Sequence, residues 1–177
     1  MHKDIERVLI SEQELREHVS AVGAQIKRDY EGKEPIFVGV LKGCFIFMAD
    51  LMREVDIDCS MDFMAVSSYS GTSTTGAVKI NKDLSGDIEG RHIIIVEDIL
   101  DSGVTLSYLK NYLQVRKPAS VAIVTLMDKP SRRKADIKAD YFCFEVPDAF
   151  VVGYGLDYNE KYRNLPYIGV LSPKVYS

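Results

Sequence analysis

Between Arg91 and Leu106 the chain reads RHIIIVEDILDSGVTL, and this stretch gathers an unusual density of side chains able to do chemistry. Glu97 and Asp98 are adjacent, Asp101 follows three positions later, and Ser102, Gly103, Val104 and Thr105 complete the segment. Two neighbouring carboxylates beside a buried apolar run are costly unless they face solvent, a metal or a polar ligand. The Asp-Ser-Gly-Val-Thr loop has the opposite character. Leading into a helix, its unpaired amides would form an anion pocket reinforced by the helix dipole, with Ser102 and Thr105 adding hydroxyl donors. Carboxylates beside that pocket would repel a bare phosphate, but they suit a ligand that also carries cis-hydroxyls and Mg²⁺. A ribose phosphate has both parts.

The surrounding residues say what must hold these groups. Ile93 to Val96 and Ile99 form a short β-branched run between Gly90 and Gly103, the pattern of a strand buried on both faces and ending at the acidic pair. Gly103 allows the positive φ that a tight loop needs, and Leu106, Leu109 and Leu113 recur at helical spacing. Upstream, Ser11 and Glu14 fit a capping box opening a helix that Leu15, Val19, Val22 and Ile26 carry to about Tyr30. Ile36–Leu41 reads as a second buried strand, followed by Lys42-Gly43 and an apolar helix from Cys44 to about Met52. Ile57–Val66 partly alternates, with Ile57, Cys59, Met61 and Phe63 on one face, as an antiparallel or edge strand would. Ser67–Gly76 is rich in Ser, Thr and Gly and predicts a mobile loop, with a hairpin strand and turn over Lys79–Asp87. Ser120–Met127, Tyr141–Val146, Phe150–Tyr154 and Tyr167–Leu171 supply further strands, and Phe150 read alone is a core residue. The basic run Arg132-Arg133-Lys134 fits a solvated turn, and His18 an ordinary surface position. Alternating strands and helices imply an α/β fold, a mostly parallel twisted sheet flanked by helices, with ligands at the strand C-terminal ends. Lys42, Gly43 and Lys129 stand at that edge.

At 177 residues the chain suits one domain, and 46% hydrophobic residues are enough for a real core. A formal net charge of −4 argues against bulk attraction to nucleic acid or an anionic membrane. Cys44, Cys59 and Cys143 form no close pairs, which argues against a disulfide framework or zinc site and for a reducing compartment. The N-terminal MHKDIERVLI lacks the apolar run of a signal peptide, and no stretch approaches the ~18 apolar residues of a membrane span, so a cytoplasmic protein is expected.

The central stretch closely resembles the phosphoribosyl-diphosphate (PRPP) signature of type I phosphoribosyltransferases: hydrophobic strand, two acids, two more residues, then Asp-Ser/Thr-Gly-x-Thr. Three other segments resemble hypoxanthine-guanine members of that family in the same order: Leu41-Lys42-Gly43, Lys129, and the run Pro147-Asp148-Ala149-Phe150-Val151-Val152-Gly153-Tyr154-Gly155-Leu156-Asp157-Tyr158-Asn159-Glu160 ending at Arg163. The resemblance implies a type I phosphoribosyltransferase fold, a single domain with a small hood built from N-terminal residues and the chain after Phe142. It implies that Lys42 and Gly43, after a cis peptide, bind pyrophosphate with Arg163. Glu97 and Asp98 would hold the ribose hydroxyls and Mg²⁺, Asp157 would help hold a second Mg²⁺, and residues 102–105 would take the 5′-phosphate. Asp101 would serve as general base or acceptor at N7 of the purine. Lys129 would donate to a 6-oxo group, Phe150 would stack on the base, and the Val151 main chain would hydrogen-bond it. Ser68 and Tyr69 would belong to a flexible loop closing over the site. Some members carry lysine where this chain has Val104, although phosphate contacts there are largely main-chain. The implied reaction moves ribose 5-phosphate from PRPP to N9 of hypoxanthine, and of guanine, releasing pyrophosphate; a homodimer or homotetramer is implied too.

Two other readings are weaker. A response-regulator receiver also has an apolar strand and a Mg²⁺-binding acid pair, but near the start of its domain, whereas about ninety residues precede Glu97 here. An RNA-binding regulator that keeps the PRPP fold would want a basic stripe, and none exists outside Arg132–Lys134.

Overall fold

The structure is a computed structural model describing residues 1–68 and 78–176. Of the loop pair expected from sequence, Tyr69 lies outside the described residues and only the backbone of Ser68 is within them. In chain order the elements are β1 (Ile5–Ile10), α1 (Glu12–Tyr30), β2 (Ile36–Leu41), α2 (Phe45–Val55), β3 (Ser60–Ser68), β4 (Val78–Lys82), β5 (His92–Leu100), α3 (Val104–Gln114), β6 (Ser120–Asp128), β7 (Tyr141–Glu145), β8 (Val151–Val152) and β9 (Ile168–Leu171).

Local sequence explains where the helices begin. At α1 the Ser11 hydroxyl accepts from the Glu14 amide at 3.3 Å while the Glu14 carboxylate accepts from the Ser11 amide at 2.8 Å, the reciprocal capping box. Leu15, Val19, Val22 and Ile26 are buried as their spacing requires. At α3, Gly103 stands at the N-cap with φ 79°.

Six strands form one sheet in the order β4-β3-β2-β5-β6-β7. Every neighbouring pair is parallel except β3 and β4. Along β5, Ile94 and Val96 pack with Phe37 and the inner faces of α1 and α2, whereas Ile93 and Ile95 pack with Leu106, Leu109 and Leu113 of α3. All four are fully buried, each contributing about 1.5–3 kcal/mol of hydrophobic stabilisation. Helices therefore cover both faces, as a parallel sheet needs.

The chain leaves β2 towards β3 on one side and reaches β5 on the other, so β2 and β5 flank the point where strand order reverses. Their pairing runs from Ile36–Ile93 to Gly39–Val96 and stops there. Strand β5 continues against β6 to Leu100–Asp128. Past Val96, then, β5 has lost its neighbour on one side, and a crevice opens at the strand C-terminal ends.

A second, antiparallel sheet has the order β1-β9-β8. It ties Ile5 to Leu171, across most of the sequence, and Val151 to Val170.

Several expectations are corrected. Strand β5 does not end at Glu97-Asp98; both acids lie inside it, because β6 goes on pairing. The 57–66 stretch is neither wholly antiparallel nor an edge: β3 is interior, parallel to β2 and antiparallel to β4. Met61 is 50% exposed, although Ile57, Cys59 and Phe63 do share one core face. The strand expected over Phe150–Tyr154 shrinks to two residues, since Gly153 and Tyr154 turn the chain at φ 104° and 48°. A Cβ at Gly153 would come within 2.1 Å of the Tyr167 carbonyl oxygen, so the turn requires glycine.

Candidate active site

The crevice between β2 and β5 gathers the candidate residues from three strand ends. A cleft of ≈ 310 Å³ is lined by Lys42, Gly43, Glu97, Asp98, Asp101, Ser102, Gly103 and Thr105 among others. The Leu41–Lys42 peptide at the exit of β2 is cis. A Cβ on Gly43 would lie 1.7 Å from Asp98 Oδ2, so only glycine lets the β2 loop meet the β5 carboxylate this closely. Lys42 and Asp98, fifty-six positions apart in sequence, thus share one wall.

Burial raises the affinity of both acids for a proton. Burial and then the neighbouring Asp98 charge push the Glu97 carboxyl well above the usual range. Burial also raises Asp98, partly offset by hydrogen bonds from its surroundings and by the Arg163 charge. Beyond them, Asp101 Oδ1 has no hydrogen-bond partner among the described residues, although Arg132 Nε stands 3.4 Å away as a charge contact. The α3 entry is compact: the Val104 amide donates to Ser102 Oγ at 3.4 Å, and the first-turn amides have no carbonyl within the helix to bond. Val104 is 37% exposed and contributes no charge.

The basic run read as a solvated turn contains a residue that sequence reasoning missed. Arg133 is largely buried, and its guanidinium is engaged all round. Its Nε donates to the Asp101 carbonyl at 3.0 Å, Nη1 to the Ile137 carbonyl at 2.7 Å, and Nη2 to the Leu100 carbonyl at 3.3 Å and to the Asp128 carboxylate. The Lys134 and Ala135 amides both donate to the Ser102 carbonyl. The 133–137 segment therefore clamps the loop that carries Asp101. Spacing gives no hint of this, because the fork binds carbonyls rather than a patterned partner.

Lys129 leaves β6 only 5% exposed and donates from Nζ to the Ala149 carbonyl at 3.0 Å, with Asp148 at 3.6 Å. That contact brings it beside Phe150. Contrary to the reading of Phe150 as core, the ring is 42% exposed; it stacks on Tyr176 at 5.1 Å and meets Tyr158 edge-on at 5.6 Å. Val151 is held by β9 through Val170. Arg163 Nη1 donates to the Gly155 carbonyl at 2.8 Å and Nη2 lies 2.9 Å from Asp157 Oδ1, while Asp157 Oδ2 accepts from the Glu160 amide at 2.8 Å. His18 lies apart, its Nδ1 2.9 Å from the Cys143 carbonyl oxygen and its ring stacked on Phe144.

Glu97, Asp98 and Asp157 offer hard oxygen ligands. Among the described residues no group of three or more acids, histidines or cysteines could by itself hold a metal ion. Such a set suits Mg²⁺, which takes one or two carboxylates and completes its octahedron with phosphate oxygens and water.

Residues 9–159 match the model of the phosphoribosyl transferase domain. The chain belongs to the phosphoribosyl transferase family. It is 60% identical to a hypoxanthine-guanine phosphoribosyltransferase of Bacillus subtilis over 99% of this chain and 98% of that one. In Listeria monocytogenes a segment 56% identical over the whole of this chain makes up 28% of a longer bifunctional protein, TilS/HprT. A solved hypoxanthine phosphoribosyltransferase of Staphylococcus aureus superposes with a TM-score of 0.96 at 53% identity, covering 100% of this chain and 97% of that one. Membership of the family agrees with the sequence resemblance and with the type I fold.

Two outcomes follow from the geometry. Arg133→Ala removes a donor from the Asp128 carboxylate and from the Asp101, Ile137 and Leu100 carbonyls and is expected to cost about 3 kcal/mol in denaturant unfolding. In an Asp128→Asn background the same change should cost less; equal losses would mean the pair is not coupled. The folded chain holds the Glu97 proton to higher pH than the unfolded chain does, so this group destabilises the fold as pH rises above the unfolded value. Glu97→Gln should therefore raise Tm at neutral pH, and the gain should vanish below about pH 4. A gain that persisted in acid would contradict the burial effect.

Proposed function

We propose that this chain is a purine-salvage transferase that moves ribose 5-phosphate from PRPP to N9 of hypoxanthine, and of guanine, giving IMP or GMP and pyrophosphate. The observation supporting it best is the crevice past the Gly39–Val96 pair, where a cationic loop, two adjacent acids and an anion-binding helix entry face one another. The names of the B. subtilis and S. aureus relatives, which match over essentially the whole chain, support the choice of substrates.

In this reading the ribose hydroxyls donate to Glu97 and Asp98, whose raised proton affinity favours neutral donors and a cation close by. The 5′-phosphate sits on the amides and hydroxyls of residues 102–105. Phe150 stacks on the purine, the Val151 main chain bonds its edge, and Lys129 donates to O6. An adenine amino group at that position would leave the ammonium without an acceptor. As C1′ parts from the diphosphate through an oxocarbenium-like state, Lys42 and Arg163 offset the charge growing on the leaving group. Asp101 accepts from N7 as that nitrogen becomes acidic. Mg²⁺ held by Glu97 and Asp98, and a second Mg²⁺ held with the help of Asp157, would supply further neutralisation of the diphosphate.

The small β1-β9-β8 sheet acts as the hood of a single domain. A homodimer or homotetramer in the cytoplasm completes the proposal. Among the described residues no helix is long and apolar enough to cross a membrane.

With PRPP and Mg²⁺, hypoxanthine should be converted to IMP in an absorbance assay and conversion should stop with EDTA; no turnover of any 6-oxopurine would refute the reading. Asp101→Asn should lower kcat by about 10²-fold or more with little change in PRPP binding, and an unchanged kcat would remove Asp101 from the proton step. Lys129→Ala should erode the preference for hypoxanthine over adenine, and unchanged relative rates would exclude that role.

A further inference from the structure

The two cations assigned to pyrophosphate are not free. Lys42 Nζ donates to Glu160 Oε1 at 3.1 Å, and Arg163 Nη2 lies 3.4 Å from each oxygen of the same carboxylate. Glu160 thus spans Lys42 and Arg163 as the terminal oxygens of a phosphate would. A cleft of ≈ 420 Å³ contains all three, along with Gly43, Asp98 and Asp157.

The backbone presents Glu160 there. Asn159, Glu160 and Tyr162 adopt left-handed φ values of 51°, 60° and 76°, and Tyr158 and Lys161 exchange hydrogen bonds across the turn at 3.2 and 3.1 Å. The Glu160 amide is fastened to Asp157 Oδ2. The side chain, by contrast, is 65% exposed and can swing into water without disturbing that turn. Asp157, at 28% exposure with both carboxylate oxygens engaged, cannot. Hydrogen bonding from Lys42 lowers the Glu160 carboxyl below its ordinary range.

We propose that Glu160 is an internal competitor for the diphosphate subsite, a mobile carboxylate that a diphosphate must displace from Lys42 and Arg163 before it can bind. The idea rests on the function proposed above and adds to it a residue that sets how tightly diphosphate is held. A binder competing with such a contact sees only the fraction of molecules in which the contact is open, so its apparent affinity falls by that fraction. The competitor would oppose PRPP and pyrophosphate alike. It would leave a nucleoside monophosphate, which has no diphosphate, untouched.

The test is calorimetric binding of inorganic pyrophosphate with Mg²⁺, and separately of IMP, to the full chain and to Glu160→Gln, with the inhibition constant of pyrophosphate against PRPP measured alongside. Glutamine keeps the size and backbone preference but not the charge. The variant should bind pyrophosphate about threefold or more tightly, as expected for losing an exposed ion pair on each cation, with IMP affinity unchanged. Weaker pyrophosphate binding would mean that Glu160 positions the cations, and unchanged binding that it does not compete; either overturns the proposal. A parallel tightening of IMP would also overturn it, by showing a general charge effect. Wild-type protein that binds no pyrophosphate overturns this inference together with the function it rests on, whereas wild-type turnover with an unresponsive variant overturns this inference alone.

Discussion

Two adjacent carboxylates in the central strand of a buried parallel sheet are tolerable only where the sheet stops being a sheet. Glu97 and Asp98 satisfy that condition because β2 pairs with β5 up to Gly39–Val96 and no further, while β6 supports β5 from the other side as far as Leu100. The acids are thus held on a strand, more rigidly than a loop could hold them, yet one flank is open. Their raised proton affinity measures the cost of this placement. Four fully buried aliphatic residues at Ile93–Val96 anchor the strand that carries them.

Much of the remaining site follows from keeping charge in check around that pair. Gly43 lets the β2 loop come against Asp98. Arg133 spends its guanidinium on carbonyls of the loop that follows and on Asp128, so that Asp101 is presented by a clamped segment. Lys129 is tied to the Ala149 carbonyl and so to the segment bearing Phe150. Arg163 is tied to the Gly155 carbonyl and to Asp157. Lys129 and Arg163 are each oriented by an oxygen of the element beside them, which helps a site assembled from three strand ends keep its geometry.

What could be read from sequence was local. The capping box at Ser11–Glu14, the leucines of α3 and the acid pair with its loop all carry their cause within a few residues. What could not be read was remote in origin. β1 leaves no local signature, because its strand state comes from pairing with β9, more than 150 residues away, and only Ile5 and Ile10 are buried. Likewise β8 is cut short by Gly153 meeting Tyr167, and β3 is interior because β4 returns to cover its edge. Arg133 was hidden for the same reason: a basic run looks solvated until the carbonyls it binds are known. Phe150 shows the reverse case, where hydrophobicity alone pointed to the core and the family resemblance pointed to an exposed stacking surface.

The most direct measurement is a crystal structure of the chain with IMP. The phosphate should rest on the amides of residues 102–105, the ribose hydroxyls on Glu97 and Asp98, and the base on Phe150 with O6 at Lys129. A nucleotide seated with its phosphate away from the α3 entry, or with Glu97 and Asp98 untouched, would contradict the assignment of the β5 crevice as the ribose-phosphate site.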